Sequence, residues 1–107
     1  MEIYCNNNAL LERAVKYSRV LGIESRDARI VVKRLPPSYT KSGFIEHPSH
    51  LDNDIYISIY VKLDNDRYIT LAHEMVHARQ VLNGQPIDEK EAYLLENILD
   101  NDPTKMG

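Results

Sequence analysis

Leu10, Ala14, Tyr17 and Leu21 recur at helical spacing near the start of the chain, joined by Leu11, Val15 and Ser18. Asn6-Asn7-Asn8 offers capping side chains before this run and Gly22 stops it, which predicts a first helix with one apolar side and a supporting role. Ahead of it, Met1 to Cys5 fits either a short strand or a segment packed across a helix. Ala28 to Leu35 (ARIVVKRL) is rich in β-branched residues and predicts a strand ended by Pro36-Pro37. Gly43 to His47 reads as a second, short strand. The clearest strand runs from Ile55 to Leu63, with Ile55, Ile57, Ile59, Val61 and Leu63 on one face and Tyr56, Ser58, Tyr60 and Lys62 on the other. One polar face implies helices on one side of the sheet only, hence an antiparallel or mixed sheet rather than a doubly wound one.

Asp64-Asn65-Asp66 predicts a turn and an N-cap. The longest helical pattern follows, Asp66 to Leu82, apolar from Tyr68 onward except for Thr70, His73, Glu74, His77, Arg79 and Gln80. A helix so apolar all round belongs at the centre of the fold. Asn83-Gly84 closes it, Gln85-Pro86 turns the chain, and Asp88 begins a further helix to about Leu99. Asn101-Asp102-Pro103 ends the ordered part, leaving Thr104 to Gly107 as a frayed tail. The expected fold class is α+β.

The 107 residues suffice for a single domain with one core. A content of 43% hydrophobic and 27% charged residues argues against disorder and low complexity. The formal net charge of -3, with Lys33, Arg34 and Lys41 scattered rather than striped, argues against nucleic-acid binding. No apolar run is long enough to span a membrane, and no basic segment followed by an apolar one marks a secretory signal. Cys5 is the only cysteine, which leaves neither an internal disulfide nor a cysteine metal cluster. A cytoplasmic protein is expected, and bound metal would help stabilise a domain this small.

The chemistry lies in His73-Glu74-Met75-Val76-His77. On a helix, histidines four apart share one face, one turn above the other, with Glu74 beside them. This is the H-E-x-x-H arrangement of zinc hydrolases, in which two imidazoles hold the metal and the carboxylate takes a proton from activated water. A third ligand is needed beside an open position for water. Candidates are His47, in the loop with His50, and Glu89, Glu91 and Glu96 on the following helix. Glu91 shares a face with Leu94, Leu95 and Ile98, taken as the inward side, whereas Glu89 and Glu96 are expected to point elsewhere, so Glu91 is the expected ligand. It also stands three residues after Asp88, where a capping-box carboxylate would sit. Glu96 is favoured by its level along the returning helix, and His47 is a further alternative.

His73-Glu74-Met75-Val76-His77, Ala78-Arg79-Gln80 and then Glu89-Lys90-Glu91-Ala92-Tyr93 resemble the gluzincin metallopeptidases in their minimal single-domain form. In that family the third ligand is a glutamate on the helix after the active-site helix, often directly before a small residue, and Glu91-Ala92 matches. The resemblance implies one zincin-like domain over residues 1–107: a backing helix, a small twisted and mainly antiparallel sheet, an active-site helix and a ligand helix. It departs from larger gluzincins in the shorter separation, 14 positions from His77 to Glu91, and in Leu95 where they carry an acidic residue. The implied activity is zinc-dependent hydrolysis of a peptide or protein substrate, with His73, His77 and Glu91 on the metal and Glu74 as general base. Tyr93 and Tyr60 are candidates to assist at the developing oxyanion. An edge strand, Ile55 to Leu63 or the Phe44 segment, would hold an extended peptide. The alternative is a zinc-stabilised binding or regulatory protein with vestigial hydrolytic activity.

Overall fold

Alternation along two strands builds the core. The computed structural model describes residues 1–46, 49–51 and 54–100. Within them β1 (Glu2–Cys5), α1 (Asn8–Val20), β2 (Ala28–Leu35), β3 (Gly43–Ile45), β4 (Ser49–Leu51), β5 (Asp54–Lys62), α2 (Arg67–Leu82) and α3 (Glu89–Asp100) follow one another. Ile30 stands opposite Ile57 and Val32 opposite Ile59 across β2 and β5. All four are buried, together with Ala28 and Val61, on the face that the helices cover. Leu63 lies beyond the end of β5 and is exposed, so the apolar stripe of this strand ends at Val61.

The strand order is β1-β2-β5-β3, with β4 also paired to β5. β1 with β2 and β2 with β5 are parallel, whereas β3 and β4 meet β5 antiparallel. The sheet is therefore mixed, and its longest pairing is parallel, not mainly antiparallel as expected. α1 carries the chain from the end of β1 back to the start of β2, and the long connection after Pro36 does the same between β2 and β5. The polar outer face follows from helices covering one side. It does not report strand direction.

Local chemistry sets the helix ends. Asn7 is the N-cap of α1, its side chain accepting the Leu10 amide at 3.0 Å. Both α1 and α2 close on a glycine at positive φ, Gly22 and Gly84, in the same two-bond C-cap. Gly22 N–H reaches Arg19 O and Ile23 N–H reaches Ser18 O; Gly84 N–H reaches Val81 O and Gln85 N–H reaches Gln80 O. At the start of α2, Asp66 occupies the cap position without a side-chain cap bond, and it is the Asp64 carboxylate that accepts the Asp66 amide at 2.9 Å.

α2 lies against β5, β3, α1 and α3, and it buries Leu71, Ala72, Met75, Val76 and Ala78 completely. α3 packs on α2 through Ala92, Leu95 and Leu99. Leu94 and Ile98, expected on the inward side, are exposed. The apolar residues of α3 form two overlapping stripes, and the stripe containing the small Ala92, which lets the helix axes approach, is the one that packs. No helix among the described residues is long and apolar enough to cross a membrane.

Candidate metal centre

His73 and His77 come off successive turns of α2 with their Nε2 atoms 3.2 Å apart. One ligand atom from each of His73, Glu74 and His77 falls within 4.8 Å of the others, a group able to hold a metal ion. Glu89, in the first turn of α3, faces both rings: its Oε1 lies 2.6 Å from His77 Nε2 and its Oε2 3.0 Å from His73 Nε2. Two imidazoles and a carboxylate thus converge on one point.

The far sides of the rings are also held. His73 Nδ1 lies 2.6 Å from Glu96 Oε2, and His77 Nδ1 lies 2.8 Å from Gln80 Oε1. Ties of this kind orient metal-ligating histidines and leave the opposite nitrogen for the ion. The donor set therefore fits a divalent metal that prefers nitrogen and oxygen ligands.

Glu91, the expected third ligand, is turned elsewhere. Its Oε1 accepts from Gln80 Nε2 at 3.0 Å and lies 3.6 Å from Arg79. The inward stripe of α3 is Glu89, Ala92, Glu96 and Leu99, so Glu89 and Glu96 meet the histidines while Glu91 falls on the flank. The capping role at this helix start belongs to Asp88, whose Oδ1 accepts the Lys90 and Glu91 amides at 3.0 and 3.3 Å. His47 lies outside the described residues. The sequence signal for Glu89 was a small residue flanked at helical spacing by two carboxylates. The signal for Gln80 was an amide one turn after His77 on a buried face.

Glu74 is buried, and burial raises its carboxyl above the ordinary value of 4.5, against the opposing pull of His77 and His73. A Cβ at Gly43 would stand 2.6 Å from Thr70 Cγ2 and 2.7 Å from the Tyr60 carbonyl oxygen, and 3.7 Å from Glu74 Cγ. Only glycine lets β3 run this close to α2. The result is an open cleft of about 650 Å³ lined by β3 on one side and by His73, Glu74, His77, Glu89, Tyr93 and Glu96 on the other.

Tyr93 sits edge-on to His73, ring centroids 4.8 Å apart, and lines this cleft. Tyr60 does not. It stacks on Phe44 at 4.6 Å, with Lys33 Nζ 5.5 Å from its ring, on the outer face of the sheet. The alternation that buries Ile59 and Val61 under the helices turns Tyr60 away from them. Comparison with protein-family models, curated proteins and solved structures finds no match to this chain.

Proposed function

We propose that this protein is a small zinc-dependent peptidase of zincin-like architecture. The observation that carries the reading is the convergence of His73 Nε2, His77 Nε2 and the Glu89 carboxylate, with each Nδ1 tied back by Glu96 or Gln80. His73, His77 and Glu89 would hold the ion, and the open cleft beside them would leave it within reach of water. When bound, zinc would lower the pKa of a water molecule and polarise the scissile carbonyl.

The remaining steps belong to the chain. Glu74 accepts a proton from the attacking water on a carboxylate oxygen and passes it to the leaving amine nitrogen. Tyr93, at the cleft wall, donates its hydroxyl to the carbonyl oxygen as charge develops. β3 ends the strand order and lines the cleft, so an extended peptide adds to its free side. β5 is paired along both edges and leaves no room for that role.

The test is a peptide-library digest with wild type, chelator-treated protein and Glu74→Gln, alongside metal analysis. Wild type should carry one zinc per chain and cleave. Glu74→Gln should retain its zinc and lose cleavage by about 100-fold or more, the scale of general-base assistance. Zinc binding without cleavage by wild type at high concentration would give the lead to the zinc-stabilised binding protein. Cleavage surviving in both controls would defeat the assignment.

A further inference from the structure

Gln80 is fully buried one turn beyond His77, and it makes every hydrogen bond that a carboxamide can make. Its Oε1 accepts the Asp88 amide at 3.0 Å and lies 2.8 Å from His77 Nδ1. Its Nε2 donates to the Asp88 carbonyl at 3.0 Å and to Glu91 Oε1 at 3.0 Å.

The Asp88 backbone decides which end of the amide is which. An N–H can only donate and a carbonyl can only accept, so the oxygen of Gln80 must face the first and its nitrogen the second. That oxygen carries no hydrogen. The hydrogen in the contact with His77 therefore sits on Nδ1.

We propose that Gln80 is the positioning residue of the metal centre. It holds His77 with hydrogen on Nδ1, so that Nε2 is the nitrogen turned toward His73 and Glu89. Through both polar groups of Asp88 it also pins the start of α3, and the next residue is Glu89. One side chain thus sets the orientation of one imidazole and the place of the carboxylate that meets it. Its effect on metal affinity rests on the zinc reading above; its effect on the imidazole does not.

Neutral histidine in water favours the opposite form, with hydrogen on Nε2, which makes the assignment measurable. Two-bond hydrogen–nitrogen correlation spectra of the metal-free protein in mildly alkaline buffer report which ring nitrogen is protonated. Wild-type His77 should show a protonated Nδ1. Gln80→Leu removes the acceptor and should move His77 toward the Nε2–H form, while weakening zinc by about 10–100-fold in a chelator competition. Gln80→Glu keeps an acceptor for Nδ1 and for the Asp88 amide, so it should restore the Nδ1–H form.

A wild-type His77 without hydrogen on Nδ1 would overturn the proposal. So would a Gln80→Leu protein with the wild-type spectrum and the wild-type zinc affinity. Should Gln80→Leu not fold, a folded Gln80→Glu protein that has lost the Nδ1–H form would overturn it as well. Absence of zinc binding in wild type would remove the metal reading alone, and the spectra would still decide the role of Gln80.

Discussion

α1 closes on Gly22 and α2 on Gly84 with the same pair of backbone bonds, yet the two helices bury different things. α1 puts Leu10, Ala14, Tyr17 and Ser18 inside, and Ser18 answers its own helix by donating to the Val15 carbonyl at 2.7 Å. α2 buries Glu74, His77 and Gln80 among apolar neighbours. Such groups cost stability unless they are paired, and here His77 and Gln80 are paired with each other, with Asp88 and with the α3 carboxylates. The first helix is shaped by stability. The second carries buried polarity that a scaffold would avoid, and it does so where the imidazoles converge.

Substitutions should separate the two halves. The largest effect is expected from Glu89→Ala, which should weaken zinc by more than the 10–100-fold typical of an outer-shell partner, whereas Glu91→Ala should stay within roughly that range. Metal titration of both variants checks this, and the reverse ranking would restore Glu91 as the ligand. In the scaffold, Ile57→Ala should cost about 2–5 kcal/mol in chemical denaturation while leaving the zinc stoichiometry of the folded protein unchanged.

Gly43→Ala strikes the boundary between the halves. Its Cβ would collide with Thr70 and with backbone at Tyr60, so a loss of about 1–3 kcal/mol is expected. Adding Thr70→Ala should recover only part, because the carbonyl remains; full recovery in thermal scans would show that β3 shifts freely. At the far end, Asn7→Ala should cost about 1 kcal/mol through the lost cap, with metal affinity unaltered.

The smallest effect is a slope. Glu74 holds its proton in the folded state above 4.5, where the unfolded chain has released it. Unfolding of the metal-free protein then releases a proton in this window, so stability falls as pH rises through it and levels off beyond the raised value. Glu74→Gln should remove that contribution and be the more stable protein at neutral pH. Denaturation midpoints of both proteins across the acid range test the sign, and parallel curves would show that burial does not load Glu74.

The elements read from the chain are those decided within a turn or two of backbone. Asn7 and Gly22 bracket α1, the β-branched run predicts β2 over the residues it occupies, and a spacing of four puts His73 and His77 on one face of α2. These depend on interactions between neighbours in sequence, so the sequence alone determined them. Tertiary structure decided what joins distant segments: parallel pairing of β1, β2 and β5, the approach of Gly43 to α2, and which face of α3 turns inward. In α3 the stripes 91-94-95-98 and 92-95-96-99 are nearly equal in apolar content, and local preference cannot choose between them. The groove on α2 chooses, by accepting Ala92, and Gln80 fixes the choice by binding Asp88. That contact is what brings Glu89 rather than Glu91 to the histidines, because the position of a carboxylate at the site follows from how two helices dock.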